Sequence, residues 1–231
     1  LFYVREPARR YPWLQGTNVL RIAAIGDSFT YGVGGQEDDR YAARLERILN
    51  CNEGVRPVAV EAFAKSGTST YQQTPLLDMA LSWGAEIIIL GICPNDAEDW
   101  GRADELKELR SHMLPQPPSR NLQRLFQWSR LSKWIYVHAS QPRMQRGYRD
   151  YYRHLWSPTY TGFARFKEGL AAMDARCREK KARKIALIFP LLSHDFREGR
   201  YPFEFIHTGM HEALAEKGWS YVDLLDSFRG L

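Results

Sequence analysis

Of the chain's 231 residues, 44% are hydrophobic, 13% aromatic and 26% charged, proportions of a folded globular protein that exclude intrinsic disorder, a collagen-like repeat and a disulfide scaffold. The net charge of +5 speaks to solubility and loose association with anionic partners, not to an activity. No apolar run approaches the roughly 20 residues that a membrane span needs.

Leu1, with no initiator Met and no signal-peptide pattern around it, reads as a processed start from which an upstream anchor has been removed. Location is left open, with a lean towards an extracytoplasmic or membrane-associated one. Cys51, Cys93 and Cys177 are odd in number and widely spaced, which argues against a disulfide framework and against Cys-x-x-Cys zinc spacing. No chemistry is assigned to them.

In chain order, five short apolar runs read as strands: Val19 to Ile25, Pro57 to Phe63, Glu86 to Gly91, Lys184 to Pro190 and Trp219 to Leu224. Between them lie helical patterns. Tyr41, Leu45, Ile48 and Leu49 form one apolar face, and Leu76, Leu77, Ala80 and Leu81 form another. Phe163, Phe166, Leu170 and Met173 repeat the spacing, as do Ile206, Met210 and Leu214. Nearly all-apolar strands alternating with amphipathic helices predict a parallel sheet covered on both faces, the doubly wound α/β class.

Residues 100–158 break that rhythm and are too many for a structureless loop. Residues 101–158 hold eleven Lys and Arg against four Asp and Glu, with seven Trp and Tyr interleaved. They read as a helical cap inserted over the strand ends of a single domain spanning 1–231. Such a surface suits an anionic polysaccharide or lipid headgroups. No recognised fold or motif supports nucleic acid as a partner.

Ligands of doubly wound sheets sit beyond the carboxyl ends of the strands. Immediately after the first run comes Gly26-Asp27-Ser28-Phe29-Thr30-Tyr31-Gly32. A Ser at a strand-to-helix turn presents an exposed hydroxyl beside the N–H groups of the following turn, although Ser is also an ordinary helix cap. After the second run, Gly67 in Lys65-Ser66-Gly67-Thr68 lets a backbone N–H approach an acyl oxygen closely. After the third, Asn95 in Cys93-Pro94-Asn95-Asp96 brings a side-chain amide.

These three segments resemble blocks I, II and III of the SGNH, or GDSL-type, hydrolase superfamily. The resemblance implies a flavodoxin-like three-layer α/β/α sandwich with a five-stranded parallel sheet. It also implies a nucleophile at Ser28 and oxyanion donors from the Ser28 N–H, the Gly67 N–H and the Asn95 side chain, with no metal and no organic cofactor. Asp27, Asp96 and His194 are expected beside the substrate, the two carboxylates as substrate contacts or as groups that orient neighbouring backbone.

Two departures accompany the resemblance. Cys93 stands where the third block usually has Gly. The family's C-terminal Asp-x-x-His block, which supplies its general base, has no match: the nearest string, Asp150-Tyr151-Tyr152-Arg153, ends in Arg, with His154 one place late. The expected explanation is a chain incomplete at its C terminus, with the base and a last helix beyond Leu231 and one flank of the sheet uncovered. His194, in Ser193-His194-Asp195 after the fourth run, is the candidate for substrate contact or for a replacement base. His207 and His211 share a helix face but lack a third acidic ligand at useful spacing. His112, His138 and His154 read as solvated or locally hydrogen-bonded.

The leading reading is a serine esterase acting on an acyl ester, an O-acetyl or lipid ester of a small molecule or carbohydrate, through an acyl-enzyme on Ser28. The same site fits an O-acyltransferase, and without a base the chain would be an SGNH-like binding module.

Overall fold

The computed structural model describes residues 18–51, 56–111, 113, 119–192, 196 and 200–229. Five strands form one all-parallel sheet: β1 (Leu20–Gly26), β2 (Val58–Ala64), β3 (Ile87–Ile92), β4 (Arg183–Ile188) and β5 (Ser220–Asp223). Their order is β2-β1-β3-β4-β5, the flavodoxin-like order. Each strand lies within about two residues of an apolar run, because a strand buried on both faces must be apolar on both. The register pairs Gly26 with Ala64 and Ile25 with Leu90, so the chain leaves β1, β2 and β3 at one edge.

Helices cover both faces in three layers. On one side lies α2 (Tyr41–Leu49), which follows the single-turn helix α1 (Ser28–Tyr31). On the other lie α3 (Thr74–Ser82), α7 (Thr161–Glu179) and α8 (Glu204–Glu216), with α4 (Ala103–Ser111), α5 (Arg120–Trp128) and α6 (Arg130–Leu155) inserted between β3 and α7. A short helix α9 (Leu224–Arg229) follows β5. The larger core packs Leu77, Phe166, Leu170, Met210 and Leu214 against Ile25, Ile88, Leu90 and Ile188. The smaller one packs Ala42 of α2 against Ile22, Ala24, Val58, Val60 and Ala62. On the α2 side, Ile185 and Leu187 are half-buried and Val222 of β5 is exposed.

The face of α2 differs from the expected one. Ile48 is exposed, and Ala42, Ala43 and Glu46 are buried instead. Glu46 turns inward because β2 is an edge strand whose free N–H groups need partners. Its carboxylate accepts the Val60 N–H at 2.8 Å, which rotates the helix away from the purely apolar solution.

The insertion is helical, but only part of it reaches the strand ends. In α6, Tyr151, Tyr152 and Leu155 are buried, and Trp156 just beyond it is buried too. The Trp156 Nε1–H donates to the Pro94 carbonyl at 2.9 Å, and the Tyr151 hydroxyl donates to Glu98. By contrast, α5 and the first half of α6 pack mainly on each other, through Phe126 and Tyr136 with ring centroids 5.4 Å apart, and are otherwise largely exposed.

Candidate active site

The first segment of the site is shaped by a close approach. A Cβ on Gly26 or on Gly91 would overlap the Thr30 side chain, so α1 sits against β1 and β3 only because both positions lack side chains. Asp27 starts α1 by accepting the Phe29 N–H at 2.9 Å, the role of an N-cap carboxylate. Gly32, in the left-handed conformation, ends it. Ser28 is held half-buried at the head of that turn, and its Oγ donates to Asp27 Oδ2 at 3.3 Å.

After β2, Gly67 has φ +75° and open space around its missing Cβ. Glycine is required there by the backbone and not by crowding. Lys65 N–H still bonds to the Gly26 carbonyl at 3.2 Å, carrying the β1–β2 ladder past the strand ends and keeping the two turns adjacent. Gly67 itself is exposed.

Asn95, half-buried after β3, directs its Nδ2 towards Asp27 Oδ2 at 3.5 Å. The Ser28 hydroxyl and the Asn95 amide therefore converge on one carboxylate oxygen. Both contacts are long, and catalytic hydrogen bonds are commonly loose before substrate arrives. A carbonyl oxygen would find the amide protons only weakly engaged.

The neighbouring carboxylates lie beside the site. Asp27 and Asp96 are both buried, and their oxygens accept hydrogen bonds from protein donors. Asp96 accepts the Cys93 N–H at 2.7 Å, the Thr70 hydroxyl at 2.9 Å and the Gln73 amide at 3.3 Å. It thereby fastens the turn after β2 to the turn after β3. Burial and the nearby Asp27 push the Asp96 carboxyl well up from its ordinary value.

Cys93, to which no chemistry was assigned, lies at the middle of this arrangement. Its Sγ is 3.1 Å from Asp27 Oδ2, 3.0 Å from Asn95 Oδ1 and 3.2 Å from Asp96 Oδ2. Burial and the two carboxylates push its pKa well up, so it is a neutral donor and not a thiolate nucleophile. The Gly-to-Cys departure thus places a thiol where it bridges the turn to Asn95. The contact to Asp27 was not legible in the sequence, because Asp27 lies 66 residues from Cys93 in the chain.

Other expected residues fall elsewhere. His194 and His112 lie outside the described residues, as do Ser193 and Asp195. His154 pairs with Glu105 at 3.0 Å, and His138 bonds within its own helix to the Trp134 carbonyl at 2.9 Å. His207 and His211 do share a face of α8, and both turn to Asp223 at the end of β5, at 2.8 and 2.7 Å. Burial alone would raise the Asp223 carboxyl, but hydrogen bonds from His207 and the Leu225 N–H outweigh it and hold it below its usual value. Among the described residues, the hydrogen-bond partner of the Ser28 hydroxyl is Asp27, and no group of three His, Cys, Asp or Glu is arranged to hold a metal ion.

The model of the GDSL-like lipase/acylhydrolase family matches residues 24–230. The chain belongs to this family. The match begins inside β1 just before the Gly-Asp-Ser turn and takes in all three strand-end segments, and the activity class of the family is ester hydrolysis. Among solved structures, the chain is similar to an acetyl xylan esterase, AlAXEase, with 12% identity and a TM-score of 0.53 over 91% of this chain and 80% of that one. It is also similar to the psychrotrophic esterase EstA from Pseudoalteromonas sp., with 11% identity and a TM-score of 0.49 over 89% and 79% of the two chains. For a lipase/acylhydrolase from Enterococcus faecalis the values are 16% and 0.48 over 92% and 80%. At 12% identity the likeness to the acetyl xylan esterase speaks for the fold alone. No curated protein matches the chain significantly.

Proposed function

We propose that this GDSL-family hydrolase is a serine esterase that works through an acyl-enzyme on Ser28. The observation that supports the reading best is the convergence of the Ser28 hydroxyl and the Asn95 amide on Asp27 Oδ2, at 3.3 and 3.5 Å, beside the turn that carries Gly67. The Ser28 Oγ attacks the acyl carbon while its proton passes to a histidine, and the carbonyl π electrons move onto the oxygen. The N–H groups of Ser28 and Gly67 and the Asn95 Nδ2 stabilise that oxyanion. Collapse breaks the bond to the alcohol oxygen, which leaves with the histidine's proton, and water then releases the acid by the same steps.

Asp27 and Asp96 act as positioning residues. Asp27 orients the nucleophile's turn, and Asp96 holds the turn that presents Asn95. For the proton acceptor, either an Asp-x-x-His block of the kind the resemblance implies or His194 is required. Full turnover in a His194→Ala variant assigns the base to the former; loss of kcat with KM little changed assigns it to His194, whereas a raised KM with kcat kept marks His194 as a substrate contact.

Removal of the Asn95 amide is expected to cost about 100-fold in kcat, the usual effect of deleting one oxyanion donor. Asn95→Ala measured on an activated acetyl ester checks this; KM should change far less than kcat, because the donor acts on charge that develops only in the transition state. Undiminished kcat would remove Asn95 from the oxyanion site. We further propose a small-molecule or carbohydrate acyl ester as substrate, with no cofactor. A panel of acetyl to long-chain esters, with and without added alcohols, reads out chain length and separates hydrolysis from acyl transfer by the products.

A further inference from the structure

We propose that the hairpin of α5 and the first half of α6 is a docking element for an anionic lipid surface. This inference is independent of the chemistry assigned to Ser28.

The hairpin exposes an unusual set of side chains. Around the corner between the two helices, Trp128 is 89% exposed, Leu131 65%, Trp134 57% and Leu125 48%, with Ile135 also exposed. On α6, Leu131, Trp134 and Ile135 fall at i, i+3 and i+4 and so share one face. The partner helix is too small to cover them: α5 has 9 residues, whereas α6 has 26, a length of about 39 Å. Large apolar side chains clustered on a projecting element mark an interaction surface, since scattered ones are the norm on a soluble protein.

The charge around them selects the partner. From Leu109 to Arg149 the chain has eight Lys and Arg and no Asp or Glu, and the remainder carries an excess of acidic residues. Arg120, Arg124, Arg130 and Lys133 fall on the hairpin itself, and Arg143 and Arg146 follow just beyond Pro142. A second copy of this surface would bring like charges together with nothing to neutralise them. A polysaccharide or nucleic acid would satisfy the cations but leave Leu125, Leu131 and Ile135 without apolar contact. An anionic bilayer satisfies both sets: Trp and aliphatic side chains enter the headgroup and acyl boundary, and Arg and Lys stay at the phosphate level.

The base of the hairpin is fixed to the body. Gly147, Tyr151, Tyr152 and Leu155 of α6 are buried, and Trp156 bonds to the Pro94 carbonyl, one residue from Asn95. Pro142 separates this docked half from the exposed half and removes one intrahelical hydrogen bond there. A lipid-bound hairpin would therefore hold the turn that carries Asn95 near the membrane.

Co-sedimentation of the full-length protein with vesicles tests the proposal. Two sets of vesicles are compared, phosphatidylcholine alone and phosphatidylcholine mixed with phosphatidylglycerol. The wild type is expected to bind the mixed vesicles, to bind the neutral ones far more weakly, and to lose affinity as salt rises. The combined variant Arg124→Gln, Arg130→Gln, Lys133→Gln should weaken binding to anionic vesicles by about 100-fold, at about fivefold per cation. The combined variant Trp128→Ala, Leu131→Ala, Trp134→Ala should lose it by at least about 100-fold, from the apolar area no longer buried. Both variants should keep the wild-type melting temperature, because the changed side chains are solvated. Three results would overturn the proposal: no sedimentation with mixed vesicles, including the case where the wild type is retained only on a polyanionic resin; apolar variants that bind as well as wild type; or a wild-type dimer in sedimentation equilibrium that the apolar variant abolishes.

Discussion

Ser28→Ala is expected to lower turnover of an activated acyl ester by at least about 10⁴-fold, the scale seen when the nucleophile of a serine hydrolase is removed. The expectation follows from the division of labour at the head of β1. Asp27 still caps α1 through the Phe29 N–H at 2.9 Å and still receives the Cys93 thiol at 3.1 Å, so the turn loses only a half-buried hydroxyl whose one bond is long. The melting temperature should stay within a few degrees of wild type. Esterase assays on matched, folded preparations of the two proteins check this. Turnover of Ser28→Ala within tenfold of wild type would mean that another residue attacks the ester.

Glu61→Gln is expected to stabilise the protein by about 4 kcal/mol at pH 8 and by progressively less towards pH 5. Glu61 lies in the middle of β2, paired in register with Ala23, and its Oε1 is buried without a hydrogen-bond partner. Burial, with the charges of Glu46 and Glu37 adding to it, raises its carboxyl from 4.5 to about 9. A carboxyl held neutral in the fold but ionising near 4.5 when unfolded binds more protons in the native state. Its contribution is therefore complete below about pH 4.5 and is lost as the pH rises towards 9. Glutamine has the same shape and no charge at any pH, so the variant lacks that slope. Thermal or urea unfolding of both proteins across pH 5 to 9 tests it; parallel stability curves would mean that Glu61 is ionised in the fold.

These two residues mark the limits of what the sequence conveys. The position of Ser28 was legible because a strand buried on both faces is an apolar run whose end can be read from the sequence. Gly67 and Asn95 were placed after their strand ends on the same principle. Glu61 was invisible, because nothing in the alternation of β2 distinguishes a buried, neutral glutamate from a solvated one. Glu46 misled in the opposite direction: periodicity assigned Ile48 to the core, but satisfying an edge strand's N–H decided which face of α2 turned inward.

Asp27 and Asp96 show a related gap. Their place beside the site was evident, but whether a carboxylate meets substrate or is consumed by protein donors depends on Thr70, Gln73 and Cys93, which reach it only in the folded chain. The pairing of His207 and His211 on one helix face was read correctly, while their shared partner, Asp223, belongs to a strand whose register no local pattern reveals. The basic, aromatic character of the insertion was plain from composition. That its Tyr151 and Trp156 are buried under the turn of Asn95, while Trp128 and Trp134 face outwards, required the packing of α6 against the sheet.

The claim that Ser28 is an activated nucleophile is tested most directly by treating the full-length protein with a fluorophosphonate, measuring its intact mass and locating the adduct by peptide mapping. The account predicts one adduct, on Ser28, absent from Ser28→Ala and reduced in rate by Asn95→Ala. An unmodified Ser28, or an adduct on another residue, would contradict it.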